Sequence, residues 1–83
     1  MSVVDYQNAK TVKDLIKDMP SDCKIVACEV SVIANGTFAS VIVNDEMIKW
    51  NRAEAKKGDK IIFDGIKSTC PKKVKTKYKF ILE

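Results

Sequence analysis

A hairpin signature near the middle of the chain is the feature that most constrains the fold. From residue 24 to residue 32 the sequence alternates with a period of two, which predicts a strand with one buried and one wetter face. Asn35-Gly36 follows, and both residues tolerate the positive φ angles of a two-residue type I′ turn. The return run over residues 37–43 is rich in β-branched residues. The pattern predicts a β-hairpin whose first strand buries Val26, Cys28, Val30 and Val32.

The second half of the chain predicts further strands. Residues 47–57 are ambiguous, because residues 47–50 alternate like a strand while residues 52–57 have helix propensity. A short helix or a turn is favoured, ending at Lys57 with Gly58 as its C-cap. A strand then begins at Lys60, and we interpret Gly65 as a bulge through which this strand continues to Thr69. The final strand alternates between lysines on one face and apolar residues on the other, namely Val74, Tyr78, Phe80 and Leu82.

One short helix is predicted ahead of the strands, over residues 11–19. Thr11 and Asp14 fit a capping box, and Pro20 ends the helix because the residue before a proline is pushed out of the α region. Val12, Leu15, Ile16 and Met19 form one apolar stripe. Residues 1–10 are predicted to be a loose tail or a short edge strand.

Length limits the architecture to a single domain over residues 1–83. A hydrophobic content of 46% with 31% charged residues fits a globular domain rather than a disordered chain. Short turns between consecutive strands favour antiparallel pairing. We therefore expect a mostly β fold with one N-terminal helix. Residues 24–82 would form either a small β-sandwich or a sheet covered by the helix.

Several functional classes are disfavoured by what the sequence lacks. Without histidine there is no Ser-His or Cys-His pair and no imidazole metal ligand. The three glycines do not form a phosphate-binding loop. No apolar run approaches the roughly 18 residues of a membrane span, and no export signal opens the sequence. We therefore expect a protein that is not an enzyme, with no catalytic residues, no metal, no cofactor and no membrane insertion.

The net charge of +4 comes from the C-terminal end. Basic and acidic residues balance over residues 1–69, whereas residues 70–83 carry only Glu83 against Lys72, Lys73, Lys75, Lys77 and Lys79. These lysines are the candidate binding site for an acidic protein surface, or for nucleic acid. Alternatively, they only keep an edge strand soluble and prevent edge-to-edge pairing. The latter is favoured, because the only arginine is Arg52 and the aromatic residues of the strand point away from the lysines.

Three cysteines allow a disulfide but not a convincing zinc site, which needs four ligands. Cys28 lies on the apolar face of its strand, where it is most simply a small buried hydrophobic residue. Cys23 and Cys70 lie just outside strand ends and are the candidate disulfide pair. In a cytosolic protein all three would stay reduced, so the sequence leaves the pairing open.

Several of these segments, in their order, resemble a known family. The first strand runs from Cys23 to Val32, and a turn and strand over residues 57–67 read Lys-Gly-Asp-Lys-Ile-Ile-Phe-Asp-Gly-Ile-Lys. Cys70-Pro71 and an alternating strand ending Phe80-Ile81-Leu82 follow. Over roughly residues 15–82 this resembles the C-terminal domain of the gliding-motility protein GldM and related Bacteroidetes domains. The family's Cys-Pro-Gly-Asp is Cys-Pro-Lys-Lys here.

The resemblance implies an immunoglobulin-like β-sandwich that acts as a structural protein–protein interaction module without catalysis. In the family this module belongs to a periplasmic part of the type IX secretion and gliding machinery. We expect a periplasmic location if the chain is an excised domain of this kind, and a cytoplasmic one if it is free-standing. The expected partner is an acidic protein surface or a second subunit, and the alternative is a small basic nucleic-acid-binding protein.

Overall fold

The computed structural model describes residues 1–16, 22–70 and 75–83, and its strands form one antiparallel sheet. The strands are β1 (Ile25–Ala34), β2 (Thr37–Val43), β3 (Lys60–Ser68) and β4 (Tyr78–Ile81). Their order across the sheet is β2-β1-β3-β4, so β2 and β4 are the two edges. The predicted mostly β, antiparallel fold is confirmed.

The immunoglobulin-like sandwich is not confirmed. Within the described residues, all four strands belong to the same sheet, and no second sheet faces it. One face, which we call the inner face, packs against two short helices, α1 (Val3–Asn8) and α2 (Val12–Leu15). The arrangement corresponds to the other architecture that the strand pattern allowed, a sheet covered by helix.

The core lies between the inner face and the helices. Its largest fully buried side chains come from both layers, and they are Tyr6, Val12, Ile16, Val30, Ile61, Phe63 and Leu82. The rings of Phe63 and Phe80 meet edge to face, with their centroids 6.0 Å apart. The sheet and the helices therefore form one continuous hydrophobic cluster.

The hairpin turn has the predicted geometry. Asn35 and Gly36 both have positive φ angles, 50° and 74°, and Ala34 pairs directly with Thr37 across the turn. Positive angles at both central residues match the right-handed twist of the two strands, which is why type I′ turns join tight hairpins. The turn thereby sets the register of the whole β1–β2 ladder.

Gly36→Ala should lower the free energy of unfolding by about 1 kcal/mol, because an L-residue is strained in the left-handed region. A Cβ added at Gly36 would meet no atom within 4 Å, so the loss reports backbone strain alone. Urea denaturation measures it. Asn35→Gly is the control, since glycine tolerates the same φ. A larger loss in the control than in Gly36→Ala would contradict the turn geometry.

The predicted bulge at Gly65 is present, and a second irregularity changes the phase of β1. Gly65 has a φ of 58°, and the β1–β3 register shifts beside it. A further shift near the start of β1 leaves Ile25 buried and Val26 49% exposed. The prediction that Val26 faces the core was therefore wrong, because an extra residue reverses the alternation. Cys28 and Val30 are buried as predicted.

The N-terminal residues are helical rather than a loose tail or an edge strand. The hydroxyl of Ser2 accepts a hydrogen bond from the Asp5 N–H and caps α1. Tyr6 is only 2% exposed, so the helix is anchored by a core side chain. A six-residue helix is unstable alone, so α1 depends on this tertiary contact to form.

The predicted capping box is present at the start of α2. Thr11 accepts from the Asp14 N–H, while the Asp14 carboxylate accepts from the backbone N–H groups of Thr11 and Lys10. The hydrogen bonds that the carboxylate accepts lower the pKa of Asp14 below its ordinary value, and the bond from the Thr11 N–H has the largest effect. α2 ends at Leu15. Residues 17–19 of the predicted helix, and Pro20 after them, lie outside the described residues.

The segment between β2 and β3 forms turns and not the short helix that its helix-forming residues favoured. Met47 makes an isolated bridge with Thr11, and Gly58 has a positive φ of 95°. Residues 44–59 are all described, and no helix lies among them. The alternative prediction, a turn ending at Lys57 and followed by Gly58, is consistent with these turns.

Candidate functional site

The face of the sheet turned away from the helices, which we call the outer face, carries large apolar side chains. Strand alternation and register place five of them there, namely Ile33, Phe38, Ile42, Ile62 and Ile81. Phe38 is 64% exposed, Ile42 is 67% exposed and Ile81 is 51% exposed. These exposures show that no described element packs over the two edges of this face.

Charged residues accompany the apolar ones in rows across the outer face. Lys60 lies between Ile33 and Ile81, and Lys79 lies beside Ile62. Glu29 and Asp64 are paired on β1 and β3 in the row that begins with Ile42. The outer face therefore mixes apolar and charged side chains, with Lys60 and Lys79 on the β3–β4 side and the Glu29–Asp64 pair in the row of Ile42. Such a composition is typical of protein interaction surfaces.

The C-terminal lysines do not all lie on one strand. β4 begins at Tyr78, so Lys79 is the lysine within it, while Lys75 and Lys77 are exposed in the preceding segment. The Lys75 ammonium lies 5.1 Å from the centroid of the Tyr78 ring. Lys72 and Lys73 lie outside the described residues. The lysine surface is thus a cluster around one end of β4 rather than a regular stripe.

The aromatic residues of β4 turn inward, as the alternation predicts. Tyr78 is buried and Phe80 is half-buried, and their rings are nearly parallel with centroids 6.4 Å apart. Single-stranded nucleic acids bind such sheets through exposed aromatic rings on which bases stack. The rings beside the lysines are not available for this contact.

A groove of about 760 Å³ opens on the inner face, between the β1–β2 hairpin and residues 50–59. Val32, Ala39 and Val41 form its apolar floor, and Trp50 and Lys56 are on its opposite side. Among its polar residues, Tyr6, Arg52 and Asp59 make hydrogen bonds within the fold.

Those structural contacts centre on Tyr6. The Trp50 indole N–H donates to the Tyr6 hydroxyl at 2.8 Å. Arg52 Nη1 donates to the carbonyl oxygens of Tyr6 and Ala9, at 2.6 Å each, near the C-terminal end of α1. Burial raises the pKa of Tyr6, while the Trp50 hydrogen bond and the Arg52 charge act in the opposite direction. Arg52 and Trp50 therefore attach α1 to the segment after β2, a role that sequence alone did not reveal.

Cys23 and Cys70, the candidate pair, are joined by a disulfide in the structure, with their Cα atoms 4.7 Å apart. The adjacent residues hold the same two segments together, since Lys24 N–H donates to the Thr69 hydroxyl and Thr69 N–H to the Lys24 carbonyl, both at 2.9 Å. Cys28 is free and buried, and burial raises the pKa of its thiol. A buried thiol with a raised pKa is unreactive as a nucleophile.

The chain matches no known family model, no curated protein and no solved structure. Within the described residues, no group of His, Cys, Asp and Glu is arranged to hold a metal ion. The same residues include no helix of the length and apolarity that crossing a bilayer requires. The resemblance to the GldM domain therefore rests on the sequence motifs alone.

Proposed function

We propose that this protein is a non-enzymatic protein–protein interaction module that docks through the outer face of its sheet. The observation that carries the proposal is the exposure of Phe38, Ile42 and Ile81 at the two edges of the outer face, over which no described element packs. Burying a side chain of this size against a partner contributes about 1.5–3 kcal/mol. A few such residues supply the apolar centre that protein interfaces require.

The charges indicate the chemistry of the partner. Lys60 and Lys79 lie among the apolar residues on the β3–β4 side of the outer face, and the exposed Lys75 and Lys77 precede β4 at the same edge. An acidic surface would meet these lysines with complementary potential, which increases the rate of association and its dependence on salt. The partner is therefore a protein with an apolar surface bordered by acidic residues on one side.

The setting we propose is a periplasmic assembly of the GldM type, in the secretion and gliding machinery of Bacteroidetes. Two features support it. The sequence resemblance covers most of the chain, and the Cys23–Cys70 disulfide is of a kind that persists in oxidising compartments such as the periplasm. The alternative, a nucleic-acid-binding protein, has less support because Tyr78 and Phe80 turn inward and Arg52 is bonded to backbone carbonyls.

Photo-crosslinking in the source cells tests the docking surface. A photoreactive phenylalanine analogue replaces Phe38 on the outer face or, as a control, Val4 on α1, whose exposures of 64% and 62% are matched. We expect adducts with another protein from position 38 and not from position 4, and we expect Lys60→Glu with Lys79→Glu to weaken them at least about threefold.

Equal adducts from both positions would contradict the outer face as the docking surface. Adducts that survive the double charge reversal unchanged would contradict an acidic partner. Retention of DNA or RNA on filters at ~50 mM salt, with a steep loss at ~200 mM, would favour the alternative function instead.

A further inference from the structure

The β2 edge lacks the features that normally prevent strands from pairing between molecules. β2 contains no charged residue and no proline, and its seven residues pair with β1 without a register shift. Every residue of β2 except Val43 is exposed. The other edge differs, because β4 has four residues, includes Lys79 and follows Lys75 and Lys77. Short strands and lysines protect an edge, so only β4 is protected.

The hairpin geometry defines which backbone groups β2 presents at this edge. Ala34 and Thr37 flank a two-residue turn and therefore exchange hydrogen bonds with each other. Alternation along the ladder then directs the N–H and C=O groups of Phe38, Ser40 and Ile42 away from β1. No hydrogen bond outside the β1–β2 ladder involves these three backbones in the described part of the chain. The edge thus offers three donors and three acceptors in a row.

We propose that β2 pairs antiparallel with β2 of a second copy of this chain, about a two-fold axis at Ser40. In this register Ser40 faces Ser40 of the second copy, and Phe38 faces Ile42 in both directions. All three outward-facing residues then exchange hydrogen bonds, and each copy contributes an aromatic side chain opposite a β-branched one, a favourable cross-strand pair. This inference goes beyond the proposed function, because the site is a strand edge and the occupant is the chain itself.

Other registers satisfy fewer of these groups. If one copy slips by one residue, each residue whose N–H and C=O groups point away from β1 faces a residue of the other copy whose N–H and C=O groups are already bonded to its own β1. The two edges then cannot exchange hydrogen bonds, so the ladder cannot form. A slip of two residues leaves either Phe38 or Ile42 of each copy without an outward-facing β2 residue opposite it, so fewer hydrogen-bonded pairs form between the two strands. The register centred on Ser40 is therefore the one that uses the full edge, and it is self-complementary, as a two-fold interface requires.

Charge permits this association even though the chain carries a net charge of +4. β2 has no charged side chain, so no like charges would face each other across the new pairing. The strand order puts β4 at the far edge of each copy. In the eight-stranded sheet the two basic edges are seven strand spacings apart, about 34 Å, which is well beyond the Debye length of about 8 Å.

The dimer should be weak, because one strand pairing buries less than the ~1,600 Å² of a standard stable interface. Sedimentation velocity from ~10 µM to ~1 mM covers the expected micromolar range. We expect the sedimentation coefficient of the full chain to rise with concentration toward that of a dimer. A chain that stays monomeric at the highest concentration overturns the proposal.

Cysteine crosslinking tests the register directly. Ser40→Cys places two thiols opposite each other with Cα atoms about 5.5 Å apart, within disulfide range. Ile42→Cys is the matched control, since its copy lies four residues away along the strand, about 13 Å, and out of reach. We expect an oxidised dimer from Ser40→Cys and none from Ile42→Cys. Equal crosslinking of the two variants, or none of Ser40→Cys, contradicts the register.

Ser40→Pro tests the hydrogen bonds, because it removes an N–H that points away from β1 and leaves the ladder within the chain intact. We expect the dimer dissociation constant to rise about tenfold or more, since two symmetry-related bonds are lost. Ser40→Thr keeps the N–H and should dimerise like the wild type. Unchanged dimerisation of Ser40→Pro would show that β2 is not the interface.

Discussion

Phe63→Ala should lower the free energy of unfolding by about 3–5 kcal/mol, the range measured for large-to-small changes in cores. Phe63 has no exposed surface, and on the inner face its backbone pairs with Val30 on one side and Tyr78 on the other. Its ring also meets Phe80 edge to face. The substitution would leave a cavity at the centre of the sheet. Because whole domains are stable by only about 5–15 kcal/mol, much of the protein should unfold.

Phe38→Ala is the matched control for this prediction. It makes the same chemical change in the same sheet, but on the outer face, where Phe38 is 64% exposed. We expect its free energy of unfolding to stay within about 0.5 kcal/mol of the wild type. Urea unfolding followed by Trp50 fluorescence measures both variants. Equal losses in the two variants would show that the two faces of the sheet are not distinguished as described.

Removing the disulfide should have an effect of similar size. Cys23 and Cys70 are 47 residues apart, and in the chain-entropy model a crosslink that closes a loop of this length stabilises by about 4 kcal/mol. The double variant Cys23→Ala, Cys70→Ala should lose about this amount of unfolding free energy. The reason is that the unfolded chain regains the freedom that the crosslink removed.

Reduction of the wild type provides the control for the disulfide variant. A reductant should lower the midpoint of wild-type urea unfolding toward that of the double variant and leave the double variant unchanged. Cys28 is buried and takes no part in either effect. A wild-type midpoint that does not respond to reductant would contradict a stabilising Cys23–Cys70 crosslink.

The features that the sequence predicted well depend on a few neighbouring residues. Asn35-Gly36 determines its own turn because few other residue pairs tolerate two positive φ angles. Gly65 indicates the bulge for a similar reason, and Thr11 with Asp14 forms a box whose hydrogen bonds are local. The inward turn of Tyr78 follows from alternation within β4, and Leu82, one residue beyond the strand, keeps the same phase.

The features that the sequence missed depend on contacts between distant residues. Residues 3–8 became helical because Tyr6 is held by Trp50 and Arg52, more than forty positions away in the chain. The same contacts keep the segment after β2 from following its helix propensity. A pattern of strands also does not say whether the strands form one sheet or two. For that reason the uncovered outer face, and with it the candidate docking surface, became visible only in the structure.

Solvent paramagnetic relaxation of isoleucine methyl groups tests the central claim most directly, namely that the outer face of a single sheet is open. Ile42 and Ile81 lie on the outer face and are 67% and 51% exposed, whereas Ile61 and Ile66 are buried at 0% and 5%. With a soluble paramagnetic agent, measured on dilute monomeric protein, we predict strong relaxation of the first pair and little of the second. Equal protection of all four methyl groups would mean that a second layer covers the outer face, and it would contradict a single sheet with one open face.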